Sequence, residues 1–148
     1  MECKKAYDLD GVLAKKPPAP PKKWGLMKGS ERRAWKNQLE LYYLRAEKLL
    51  EWDGTSIVIT ARKNEVGTTS ATVEWFLDNY GKIPQLFFLE KSRSVENVVA
   101  FKAQVLRLHK IEEYYEDNKK VLKGLIGLYP DCKYFFVSKT LEIEPFSG

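Results

Sequence analysis

Apolar positions along the chain change their spacing several times, and each change marks an element. From Ser30 the apolar residues Trp35, Leu39, Tyr42, Ala46, Leu49 and Leu50 recur at helical intervals. That spacing predicts a helix over 30–52, with Ser30 as its cap and Asp53-Gly54 as its stop. Ser56-Ile57-Val58-Ile59 is a short β-branched run, expected to be a buried parallel strand ending at Thr60-Ala61-Arg62-Lys63. Val73, Phe76, Leu77 and Tyr80 predict a second helix over 68–80, closed by Gly81. Gln85–Leu89 reads as the next strand, and Ser94 caps a third helix over roughly 95–109. Tyr114-Tyr115 predicts a short strand, with Glu112 and Glu113 near its exposed start. A helix through Val121, Leu122, Leu125 and Ile126 follows, then closing strands at 133–137 and 141–143.

Three places break the pattern. In the first, Ala6-Tyr7-Asp8-Leu9-Asp10-Gly11-Val12-Leu13, a strand runs into a turn. Residues i and i+2 of a strand project to one side about 6–7 Å apart, so Asp8 and Asp10 are expected to converge at the strand tip. Gly11 frees the backbone to leave the sheet. Two carboxylates so close call for a cation or a shared proton, although an Asp-rich turn after an edge strand has the same residues. In the second, Lys15–Lys23, four prolines exclude helix and central strand and predict an extended basic loop. In the third, Lys102 lies within roughly 60° of Val95, Val98, Val99, Val105 and Leu106 on the helical wheel. A lysine on an inward face needs a negative partner, or must snorkel to solvent.

Composition narrows the class. The chain has 148 residues, expected to form one domain (1–148), with 30% charged and 44% hydrophobic residues. Cys3 and Cys132 lack metal-type spacing, so no disulfide partner is expected. No apolar run reaches membrane-spanning length, and Met1-Glu2-Cys3-Lys4-Lys5 carries no apolar signal segment. These readings predict a cytoplasmic protein with no membrane contact. A net charge of +5 suits an anionic partner, or simply a solvated surface. Trp24, Trp35, Trp52 and Trp75 could stack on bases, with most of them expected in the core. His109 has no partner pattern and reads as structural or exposed.

Asp8-Leu9-Asp10-Gly11-Val12 after an apolar run resembles the first motif of the haloacid dehalogenase (HAD) superfamily of phosphotransferases. Thr60 at a strand end, Lys102, and the acidic pair Glu116-Asp117 follow in that superfamily's order, so the resemblance covers most of the chain. It implies an α/β fold, an open and mostly parallel sheet with helices on both faces, with little or no cap. It also implies a magnesium-dependent phosphatase. Asp8 would be the nucleophile forming an aspartyl-phosphate, and Asp10 would bind metal through its carbonyl while its side chain served as acid and base. Thr60 and Lys102 would hold phosphoryl oxygens, with Ala61, Arg62 and Lys63 as further substrate-binding candidates. Asp117, with Glu116 as a direct or indirect partner, would complete the Mg²⁺ site beside Asp8 and Asp10. Relief of a buried charge further predicts that Lys102→Met retains or raises thermal stability in the absence of Mg²⁺ while losing activity.

The segments between Leu13 and Ser56 and between Thr60 and Lys102 are too short for a sizeable cap. An uncovered site admits a large phosphorylated substrate. Ile-Thr-Ala-Arg with Tyr-Glu-Asp-Asn also resembles the phosphatase domains of polynucleotide kinase-phosphatases, which implies DNA or RNA ends bearing a 3′-phosphate. Lys15, Lys16, Lys22 and Lys23 would then attract the polyanion. A phosphatase of small phosphoesters and a non-catalytic nucleic-acid-binding domain are the alternatives, and the paired Asp8 and Asp10 count against the last.

Overall fold

Alternation within the shortest strand decides which residues face which core. In the computed structural model, which describes residues 3–148, β1 (Lys5–Tyr7) sends Ala6 to one face of the sheet and Tyr7 to the other. Met1 and Glu2 lie outside the described residues, and with them part of the N-terminal reading. In β2 (Ile57–Lys63), Ile59 joins Ala6, whereas Val58 joins Tyr7. One core packs those residues under α3 (Val95–Leu108) and α4 (Lys119–Leu128); the other packs them under α1 (Gly29–Arg45) and α2 (Val66–Tyr80).

The sheet is completed by β3 (Leu86–Leu89), β4 (Glu113–Glu116), β5 (Lys133–Val137) and β6 (Ile143–Phe146), in the order β3-β2-β1-β4-β5-β6. Every pairing is parallel except β5 with β6. The chain steps outward from β1 to β3, then returns to place β4 against the other edge of β1. The strand order therefore reverses between β1 and β4, the place where open α/β sheets leave a crevice at their carboxyl ends. The α/β expectation holds at this level: a six-stranded, mostly parallel sheet, with four helices in a Rossmann-like arrangement.

Several boundaries differ from the sequence reading. The first helix stops at Arg45, seven residues before the expected end at Trp52. Residues 47–50 instead run extended beside the turn after β1: Lys15 N–H donates to Glu47 O, Leu49 N–H to Leu13 O and Leu50 N–H to Val12 O. These long-range bonds outweigh a helical spacing that Leu49 and Leu50 satisfy only on paper. Within α1 the fully covered residue is Tyr43, while Trp35 and Leu39 stay half-buried. Ser30 sits in the first turn rather than at the cap. Asp53 does not end a helix; its carboxylate accepts from the Thr55 and Ser56 N–H groups at 2.9 and 2.8 Å. The strand expected to end at Thr60 continues through Lys63, with its register to β3 shifting between Thr60 and Lys63. The last strand begins at Ile143 instead of Leu141, whose φ of 65° places it in a turn.

Among the described residues no helix is long and apolar enough to cross a membrane, and Cys3 and Cys132 are both free. His109 ends α3 and packs its ring 5.0 Å from that of Phe87, a structural place.

The α1/α2 side of the core centres on Phe76, which is fully buried and meets Trp75 and Trp52 edge-on at 5.0 and 5.8 Å. Phe76→Ala removes that ring and leaves a cavity, so urea unfolding should show a loss of about 3–5 kcal/mol. A loss below about 1 kcal/mol would mean that α2 is not held to the sheet by this cluster.

Candidate functional site

The β1 strand ends at Tyr7, and the backbone there sets the rest of the site. Asp8 N–H still donates to Tyr115 O of β4 at 2.9 Å, so Asp8 remains tied to the sheet. Leu9 O then accepts from Val12, Leu13 and Ala14, folding residues 9–14 into a tight turn. Gly11 takes φ +86°, and a Cβ there would collide with the Asp117 carboxylate. A glycine is needed for both reasons. Because Asp10 lies in the turn and not in the strand, the i, i+2 projection does not apply to it. Asp8 and Asp10 border one hollow, but they face different partners.

Asp8 faces the α3/α4 side. Lys102 reaches up from α3 with its side chain 1% exposed and donates to Asp8 Oδ1 at 3.0 Å and to Glu116 Oε1 at 2.6 Å. The inward lysine of the sequence therefore meets two carboxylates. Glu116 also accepts from Tyr114 O–H at 2.9 Å on Oε1, and from the Asp117 and Asn118 N–H groups at 3.1 and 3.2 Å on Oε2. Four donors saturate a carboxylate's lone pairs. Glu116 is thus the anchor of the cluster, while Asp8 and Asp117 are the carboxylates with oxygens to offer.

Charge follows from this arrangement. Burial opposes ionisation of Glu116, but Lys102 and the surrounding hydrogen bonds outweigh it and hold the group down at about 2. Asp8 is pushed well above the usual carboxylate range, by burial first and then by the neighbouring Glu116, with Lys102 pulling against both. Burial also raises Asp117, against a 2.8 Å bridge from Lys16. Burial would lower Lys102, yet Asp8 and Glu116 lift it above the ordinary lysine value.

Asp10 faces the other way. Arg62 grips it with both arms, Nε to Oδ2 at 3.0 Å and Nη2 to Oδ1 at 2.6 Å. The guanidinium is itself fixed: Nη1 donates to Thr72 Oγ1 at 2.8 Å, and its plane lies 3.6 Å from the centre of the Tyr43 ring. Arg62 is 2% exposed, so this is a buried fork rather than a mobile surface pair.

Ligand atoms of Asp8, Glu116 and Asp117 lie within 4.8 Å of one another, a spacing that could hold a cation. The donors are all oxygen, which suits a hard divalent ion such as magnesium. Three ionised carboxylates against buried Lys102 and half-exposed Lys16 would leave the group net negative. The residues fit a cation. Asp10 is not one of this group, and its carboxylate is turned to the Arg62 fork.

Of the other candidates, Thr60 is 1% exposed and its Oγ1 accepts from Arg62 N–H at 3.1 Å, so it sits behind the hollow. Ala61 lines the hollow, and its carbonyl accepts from Arg93 Nε at 3.0 Å. Lys63 is not brought in; its ammonium donates to Lys91 O at 2.8 Å beside a neighbouring cavity. Lys16 was expected only as one of four attracting lysines, yet it pairs with Asp117. Strand alternation could have placed Arg62 on the inward side with Val58 and Thr60, where an unpaired guanidinium is untenable. Arg93, which lines the hollow from a loop, carries no sequence signal. Pro17, Pro18 and Pro20 form one wall of this cavity of about 310 Å³, and Val95, Val98 and Val121 of the two helices line it as well.

Comparison with known protein families, curated proteins and solved structures finds no match to this chain.

The geometry reverses one expectation. Lys102→Met would not relieve a lone buried charge; it would strand two buried carboxylates. Removing one partner of a buried ion pair costs about 3–5 kcal/mol, and that loss should appear on unfolding at neutral pH. Lys102 holds its proton more firmly in the fold than in the open chain, so its contribution is full below the ordinary lysine range and fades only above it. Asp8 has the same sign of shift, so the variant should regain stability as acid protonates it. An unchanged melting temperature at pH 7 would contradict this.

Proposed function

We propose that the chain is a metal-dependent phosphomonoesterase of the HAD type, acting through an aspartyl-phosphate on Asp8. The observation that carries this reading is the placement of Asp8: a buried carboxylate at the sheet's reversal point, held by Lys102 and open to a hollow beside Asp117. Magnesium bound by Asp8 and Asp117 would supply charge screening for an incoming phosphate dianion. A carboxylate oxygen of Asp8 attacks phosphorus, forming the acyl-phosphate bond as the ester P–O bond breaks and its electron pair leaves with the alcohol oxygen. Water then attacks the same phosphorus, releasing inorganic phosphate and returning the carboxylate.

The proton steps belong to Asp10. In its resting position both oxygens accept from Arg62, so it must turn toward the leaving oxygen to give or take a proton there. Arg62 acts in this reading as the positioning residue for Asp10. Lys102 offsets one of the two charges of the Asp8–Glu116 pair and pulls Asp8 toward its ionised form, which is the form that attacks phosphorus. Asp8→Asn keeps the shape and a partner for Lys102, so it should fold normally and lose phosphate release by at least about a thousandfold, a loss on the order of 4 kcal/mol in the barrier. Near-normal turnover would exclude the covalent route.

The substrate class proposed is a nucleic-acid end. The proline loop forms one wall of the hollow, and Lys15, Lys22 and Lys23 extend from that loop into solvent. Each lysine that meets a flanking phosphate contributes roughly one unit to the salt slope of binding. Replacing Lys15, Lys22 and Lys23 with Ser should flatten that slope for a 3′-phosphorylated oligonucleotide and leave a small ester's turnover unchanged. Equal slopes would remove the polyanion argument. Lys16 is left out because its bridge to Asp117 mixes two effects.

A further inference from the structure

Beside the hollow at Asp8 lies a second cavity of about 330 Å³, which the chemistry above does not use. Its walls carry the half-buried indoles of Trp24 and Trp35, one from the short 3₁₀ turn after the proline loop and one from α1. Pro20 and Arg93 line both cavities, so the two adjoin. Three cations, Lys36, Lys63 and Arg93, stand against two carboxylates, Glu40 and Glu65, in its lining. Arg32 already covers part of Trp24, its guanidinium 5.0 Å from the ring centre while donating to the Trp24 carbonyl. Of the two indoles in this wall, Trp35 has no cation over its ring among the described residues.

Half-buried indoles in a concave wall are not needed for the core, which has its own tryptophans, Trp52 and Trp75. They offer flat π faces beside cations and next to the hollow at Asp8. A phosphate ester that carries a flat ring one sugar away matches that pairing, because every base has a face to stack. Arg93 donates to Ala61 O through Nε, which places its guanidinium at the junction between the two cavities. We propose that this second cavity is a nucleobase subsite: Trp35 and Trp24 stack the terminal base of a nucleotide or strand whose phosphate lies at Asp8, with Arg93 between them. The inference rests on the phosphatase reading for the place of the phosphate, and it names the group that reading leaves open.

The test is equilibrium binding, without divalent cations, of a thymidine tetranucleotide 3′-phosphate and of the same strand with an abasic 3′-terminal residue. The wild-type chain should bind the base-bearing strand about tenfold more tightly, the scale of one stacked base. Trp35→Ala should abolish the difference without weakening the abasic strand, and Trp35→Phe should keep most of it. Equal affinities in the wild type, or a tenfold preference that survives in Trp35→Ala, would overturn the subsite. Phosphate release from glycerol phosphate with magnesium is measured in parallel. Base-dependent binding with no release from any ester supports the subsite and rejects the hydrolase. Release without base preference rejects the subsite and leaves the hydrolase standing.

Discussion

The structure depends on one ammonium group taken out of water. Lys102 is buried between Asp8 and Glu116, and neither carboxylate could remain charged in that place without it. Glu116 is fastened further by Tyr114 and by the first amides after β4, so the lysine is aimed rather than merely neutralised. Through it, α3 is tied to the tips of β1 and β4, the two strands where the sheet reverses direction. A hydrophobic residue of the same length would pack as well and leave the site without its counter-charge.

A second buried cation repeats the device on the opposite face. Arg62 holds Asp10 in a fork while resting on Tyr43 and Thr72. The two aspartates, two residues apart, are thereby given different partners: Asp8 stays bound to the sheet and to Lys102, and Asp10 is gripped by a guanidinium. Buried charges arranged this way are costly for folding and favour a role beyond stability.

Much of this was legible in the sequence, for physical reasons that differ by element. Lys102 stood out because a helical wheel is rigid, and a charge amid valines has few explanations. The strand Ile57–Lys63 was legible from the β-branched run Ile57-Val58-Ile59, and the other parallel strands from short apolar and aromatic runs such as Leu86–Leu89. The end of the first helix was not, since the bonds that unwind it come from Val12, Leu13 and Lys15, more than thirty residues away. Asp8 and Asp10 do border one hollow, but strand alternation is not what brings them there, because the strand stops at Tyr7 and residues 9–14 fold into a turn closed on Leu9 O with Gly11 at φ +86°. Arg62 was placed at a strand tip and turned out to lie within the strand, where alternation would have marked it as buried. Arg93 and the cavity with Trp24 and Trp35 depend on loop packing, for which periodicity offers nothing to read.

The central claim is that Asp8 carries the phosphoryl group. Acid quenching during turnover of a 3′-phosphorylated oligonucleotide, followed by borohydride reduction and peptide mass spectrometry, tests it directly, because an acyl-phosphate at an aspartate is reduced to homoserine. The account predicts homoserine at position 8 and at no other acidic residue. Phosphate release with an unmodified Asp8 under the same quench, or with the label at Asp10 or Asp117, would contradict it.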